Sequence, residues 1–229
     1  MNRIFKPLLL IAATALGATA LIAATPPLKG DWLSKIALTP EGGHLRGNPA
    51  AEAKLIEYIS YTCPHCAHFE QESEGAIQLG FIKGGKGSVE IRSFLLNMMD
   101  LPASLMVQCG PASKVFGNHT ALLRAHDKWV RSPSRAEEAR WSNPDFATRM
   151  RYIATDLKLY AIMMPRGYTK VQLDKCLGDK ALAQRIANQT TYAMEKLGVT
   201  GTPSFILNGE LQPFHDWRGL KPKLEALTR

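Results

Sequence analysis

The segment from Leu55 to Cys66 constrains this chain more than any other stretch. Leu55-Ile56-Glu57-Tyr58-Ile59-Ser60 is a nearly continuous apolar run that follows the turn signal Asn48-Pro49. Such a run suits a central strand covered on both faces. A helix is expected from about Pro64 to Leu79. Pro64 fits a first-turn position, where its missing N–H has no intrahelical partner to lose, and Phe69, Ala76 and Ile77 fall on one stripe. Gly84-Gly85-Lys86-Gly87 breaks the helix, and Val89 to Leu95 reads as the next strand. Strand, helix and strand in close succession predict a parallel, right-handed unit.

Cys63-Pro64-His65-Cys66 lies at the junction of strand and helix. A sulfur at Cys63 would face the unpaired N–H groups and positive dipole end of the helix, which favour an anion. Its pKa should therefore fall below that of a free thiol. Only a thiolate attacks a disulfide, and a low-pKa thiolate also leaves readily. Cys66, one turn on, is expected to be more buried and to act as the resolving thiol. His65 can add positive charge beside the sulfur, and Pro64 stiffens the turn. Zinc would need two further ligands; His68 is near, but no second C-x-x-C or H-x₃-H follows. Haem attachment needs His directly after the second Cys, and position 67 is Ala. A purely structural disulfide would leave the strand-to-helix position unexplained.

Elsewhere, Trp32 to Leu38 reads as a short strand ending in the turn cluster Thr39-Pro40-Glu41-Gly42-Gly43. From Met98 to about Asp179 the pattern is helical, with segments near Leu101–Cys109, Ala112–Val130, Asp145–Met163 and Thr169–Leu177. Thr169 and Gln172 match a capping box; Ser132-Pro133-Ser134 and Pro165-Arg166-Gly167 read as connections. A helix over Lys180–Leu197 should be capped by Asp179 and ended by Gly198. Leu182, Ile186, Ala193, Met194 and Leu197 are its expected buried face. Ser204–Leu207 is a strand, Asn208-Gly209 a hairpin turn, and Leu220 to Leu227 a last helix. The fold class predicted is α/β, a sheet with an all-helical insertion.

The N-terminus stands apart. Arg3 and Lys6 precede an uncharged, apolar or small-residue run from Pro7 to Ala24. Residues 1–24 have the layout of a secretory signal peptide, with cleavage near Ala20 or Ala24; a retained anchor is the alternative. The net charge of +8 comes from scattered Lys and Arg with no basic block, which argues against nucleic acid as a partner. The chain has four cysteines. In an oxidising compartment an even count predicts a second disulfide, Cys109–Cys176. The competing reading leaves both as small buried hydrophobes too far apart to bridge.

The stretch from Glu57 through Cys63-Pro64-His65-Cys66 to Glu70 resembles the active-site segment of the DsbA family of periplasmic dithiol oxidases. Thr200-Gly201-Thr202-Pro203-Ser204-Phe205 resembles the loop in which thioredoxin-fold proteins hold a cis-proline opposite the dithiol. The resemblance implies a thioredoxin fold with an all-helical insertion: a thioredoxin-like domain over 25–97 and 180–229, and the insertion over 98–179. It implies Cys63 as nucleophile, Cys66 as resolving cysteine and Glu57 as a buried proton acceptor beneath them; otherwise Glu57 faces solvent or pairs with Lys54. Glu70 matches another acidic position and is expected on the helix surface. Thr202 and Pro203 would pair with an extended substrate strand. No metal or other cofactor is implied, only the redox-active pair itself. The implied partners are reduced or unfolded secreted proteins and a DsbB-type membrane oxidase. Thr202 is also found before the proline in related isomerases, which dimerise through an added N-terminal domain. Residues 25–50 are too short for one, so a monomer is expected. An isomerase, a reductase and a periplasmic peptide-binding or chaperone module remain the alternatives.

Overall fold

The computed structural model describes residues 30–228. The expected signal peptide, residues 1–24, lies outside them. Six strands form one mixed sheet: β1 (Ile36–Leu38), β2 (His44–Gly47), β3 (Ala53–Ile59), β4 (Gly87–Ser93), β5 (Ser204–Leu207) and β6 (Glu210–Leu211), in the order β1-β2-β4-β3-β5-β6. β3 and β4 are parallel, with Leu55 opposite Val89 and Glu57 opposite Ile91. β5 runs antiparallel to β3 and sets Phe205 opposite Glu57. This is a thioredoxin fold, and the shorter helices between β4 and the long helix Lys180–Leu197 form its all-helical insertion.

The two central strands are apolar for the reason the sequence suggests: both faces are covered. All seven residues of β4 are buried. On one face α1 (Pro64–Ala76), its continuation through Ile82, and α10 (Trp217–Thr228) pack Phe69, Phe81, Ile82, Leu220 and Leu224 onto Leu55, Val89 and Phe205. On the other, α9 (Lys180–Leu197) and the residues after it bring Ala193 and Val199 against Tyr58 and Ile206. A larger core joins the sheet to the insertion, helices α2 (Asp100–Val107), α3 (Val115–Arg124), α4 (His126–Trp129), α5 (Arg135–Trp141), α6 (Phe146–Asp156), α7 (Leu159–Met163) and α8 (Lys170–Leu177).

Local signals act where expected. Thr169 and Gln172 form a capping box at α8, Asp179 accepts from the Leu182 N–H at 2.8 Å to cap α9, and Gly198 ends α9 at φ +69. Asn208 and Gly209 both take positive φ in the β5–β6 hairpin. Other expectations change. The first strand begins only at Ile36, because Trp32 and Ser34 hydrogen-bond back to Gly30 and Asp31 in a turn. The segment 145–163 is broken at Lys158, whose backbone is left-handed. Met194 is 57% exposed, and the buried face of α9 includes Gln189 instead. Its Oε1 accepts from the Ser93 N–H, and its Nε2 donates to the Glu41 carbonyl, which satisfies a polar side chain inside the fold.

Candidate active site

Cys63 is the N-cap of α1, with extended backbone, and Pro64 occupies the first turn. Both cysteines are free thiols in this structure; Cys63 is 5% exposed and Cys66 wholly buried. Pro64 and His65 stand in solvent between them. The Thr202–Pro203 bond is cis. The Thr202 carbonyl lies 3.2 Å from the Cys63 Sγ, which donates to it. The Thr202 hydroxyl is buried and makes no hydrogen bond among the described residues. His215, which the sequence did not single out, donates from Nδ1 to the Pro203 carbonyl at 2.8 Å and braces that loop from behind.

The two sulfurs are electrostatically unequal. The Cys63 pKa is pushed down to about 5. Hydrogen bonding from the Cys66 thiol is the main cause. The nearby Thr202 side chain and the backbone N–H groups of Cys66 and His65 add to it, and burial opposes it. Cys66 moves the other way: burial and the neighbouring Cys63 sulfur hold its pKa well above that of a free thiol. This is the asymmetry thiol–disulfide exchange uses, with one sulfur that attacks and leaves as a thiolate and one that stays protonated until needed.

A buried cluster of titratable groups packs where β3, α1 and α3 meet. Glu57 is 4% exposed, so it neither faces solvent nor pairs with Lys54. Glu70 is not on the surface either. It is 6% exposed, it accepts from Thr120 Oγ1 at 2.6 Å, and it lies 3.4 Å from His119 Nε2. The Tyr61 hydroxyl is 3.2 Å from His119 Nδ1. Burial pushes the Glu57 pKa up to about 8, with His119 opposing and Glu70 reinforcing. Burial also pushes Glu70 up, but its hydrogen bonds to His119 and Thr120 prevail and hold it below the usual range. Glu57, Glu70, His119 and Arg46 line a small cleft of about 30 Å³, room for a water or two.

Glu57 gives a testable pH dependence. Its folded pKa lies above its unfolded value of 4.5. Below pH 4.5 the acid is protonated in both states and costs nothing. Between pH 4.5 and about 8 the folded chain keeps a proton that the unfolded chain has lost, so stability falls as pH rises. Glu57→Gln should remove that slope. Urea unfolding of the disulfide form should show little difference at pH 4.5 and a gain of roughly 2–5 kcal/mol for the variant at pH 8.5. Parallel pH profiles for the two proteins would contradict the assignment.

A family model described as thioredoxin matches residues 39–224. The crystal structure of a protein-disulfide isomerase from Novosphingobium aromaticivorans superposes with a TM-score of 0.78 at 43% identity, covering 82% of this chain and 98% of that one. Wolbachia pipientis α-DsbA1 shares the fold, with a TM-score of 0.67 at 22% identity over 83% of this chain and 93% of that one. A Rickettsia typhi protein provisionally named a protein-disulfide oxidoreductase is 26% identical over 164 residues, 71% of this chain and 53% of that protein. The chain thus spans about half the length of the curated relatives it matches.

Proposed function

The chain belongs to the thioredoxin family, and from that premise we propose that it is an exported thiol:disulfide oxidoreductase that donates disulfides to secreted proteins. The observation that carries this reading is the unequal pair at the start of α1, a Cys63 thiol drawn down to about 5 against a buried, protonated Cys66. In the disulfide form a substrate thiolate attacks the Cys63 sulfur. A mixed disulfide forms, the Cys63–Cys66 bond breaks, and Cys66 leaves as a thiolate that takes up a proton, which the buried acid Glu57 would supply. A second substrate thiolate then attacks the substrate sulfur of the mixed disulfide. Cys63 leaves as a stable thiolate, and two electrons have passed from substrate to enzyme. Thr202 and Pro203 line the position where an extended substrate strand would pair. No metal or other cofactor enters this scheme.

Export is supported by the signal-peptide layout of residues 1–24 and by the Cys109–Cys176 disulfide, which suits an oxidising compartment. A monomer reoxidised by a DsbB-type membrane oxidase completes the scheme, with reduced secreted proteins as substrates. The name of the Novosphingobium relative favours an isomerase as the second reading.

The reduction potential of the Cys63–Cys66 pair separates these readings. A disulfide donor should equilibrate near −120 mV and an isomerase near −180 mV, while a thioredoxin-like reductase lies near −270 mV. The disulfide form, mixed with an unfolded reduced protein, should also transfer one disulfide per chain. A value near −270 mV would reject the donor reading. A pair inert to glutathione would leave only a peptide-binding module.

A further inference from the structure

The loop that delivers Cys63 to α1 is tied down by one buried side chain. Asp100, at the start of α2, is wholly buried. Its Oδ1 accepts from Ser60 Oγ at 2.7 Å and from the Thr62 backbone N–H at 3.0 Å. Its Oδ2 accepts from Thr62 Oγ1 at 3.1 Å, from the Leu96 N–H at 2.8 Å and from the Asn97 N–H at 3.2 Å. All five partners donate, so each oxygen is committed to the loop before the dithiol, and one of them is shared with the loop after β4. Asn97 Nδ2 closes the ring by donating to Thr62 Oγ1 at 2.8 Å. From the opposite side His126 Nε2 donates to the Thr62 carbonyl at 3.1 Å. Thr62 is thereby held at its N–H, its hydroxyl and its carbonyl, immediately before Cys63.

We propose that Asp100 is a positioning residue of the redox site: its carboxylate locks Ser60–Thr62 to the Leu96–Asn97 loop and so fixes Cys63 against the N-terminus of α1 and the Thr202 carbonyl. This rests on the reading of Cys63 as the reactive sulfur. A turn entering a helix has many accessible conformations. The donors that stabilise a thiolate, the backbone N–H groups of His65 and Cys66, act only at hydrogen-bond distance. Two oxygens spanning two loops select the one conformation in which those donors converge on the sulfur. An amide at position 100 keeps the volume but turns an NH₂ toward groups that are themselves donors, which breaks one side of the lock.

The position also separates this role from two simpler ones. If Asp100 acted only through its negative charge, removing the charge would favour the Cys63 thiolate and lower its pKa. If it served stability alone, the melting temperature would fall and the thiolate would stay as it was. A positioning role requires the thiolate to lose its donors.

The test is ultraviolet thiolate titration of the reduced full chain, comparing wild type, Asp100→Asn and Thr62→Val. The second variant keeps Asp100 and the side-chain shape but removes the Thr62 hydroxyl from the ring. The Cys63 pKa should rise by about one unit or more in Asp100→Asn, and by a smaller amount in the same direction in Thr62→Val. A fall or no change in a folded Asp100→Asn overturns the proposal; should that variant not fold, an unmoved pKa in Thr62→Val does so. If wild-type Cys63 itself titrates near the free-thiol value of about 8.5, it is the underlying reading of the dithiol that fails, with or without Asp100.

Discussion

Given an unfolded protein that still carries disulfides, the Cys63 thiolate of Cys66→Ala should attack one of them, release the other substrate sulfur as a thiolate and accumulate as a mixed disulfide, whereas Cys63→Ala should accumulate almost none. The expectation follows from burial and charge together. Cys66 is fully enclosed and its thiol is held protonated, so an incoming sulfur has no route to it. Cys63 lies at the helix N-terminus with Pro64 and His65 in solvent beside it. Its thiolate remains populated well below neutral pH. With Cys66 absent, a mixed disulfide through Cys63 has no intramolecular thiol to resolve it and persists. With Cys63 absent, the remaining thiol is both buried and poorly ionised. Non-reducing electrophoresis of each variant after incubation with an unfolded substrate distinguishes the outcomes. Equal trapping by the two would show that the sulfurs do not hold different roles.

Removing the second disulfide should cost a sizeable fraction of the roughly 5–15 kcal/mol that stabilises a typical domain. Cys109, just beyond α2, and Cys176, in α8, are bonded with Cα atoms 5.6 Å apart across a sequence separation of 67. The chain-entropy estimate for a loop of that length is about 4 kcal/mol. At 2–4 °C per kcal/mol for a chain of this size, the double variant Cys109→Ala, Cys176→Ala should melt roughly 10 °C below wild type. Calorimetry on the two oxidised proteins measures this directly. A shift of under about 2 °C would mean that helix packing already holds α2 and α8 together and the bond adds little.

The parts of the molecule legible in the sequence are those with a local physical cause. The apolar run before Cys63, the proline in the first turn of α1, the Thr169–Gln172 box and the Asn208-Gly209 hairpin each signal their structure within a few residues. β2 was missed because His44-Leu45-Arg46-Gly47 has one large aliphatic residue and takes its identity from pairing between β1 and β4. α5 was missed although its signal was present: Ser134 and Glu137 form a capping box, read only as part of a connection. In the site, the dithiol and the loop at Thr202–Pro203 could be named from motifs, because each needs particular residues at particular spacing. Asp100, His119, His126 and His215 could not. Each acts through a partner distant in sequence, so only folding brings it to the dithiol or the loops around it. Glu70 shows the same limit in reverse. Its sequence neighbourhood reads as an exposed helix face, and it is buried because α3 lays His119 and Thr120 over it.

The dithiol shares one continuous apolar core with the inserted helices. Cys63, Cys66 and Tyr61 belong to the same buried cluster as Leu105, Leu122, Trp129, Ile153 and Leu173. The insertion is therefore no detachable cap for an engineer to exchange. Grafting helices from another member, or trimming them to recover a minimal scaffold, would open the wall against which both sulfurs rest. Variation useful for altering specificity belongs instead on the solvent side, at His65, Leu96 and Met98, where side chains can change without reaching that shared interior.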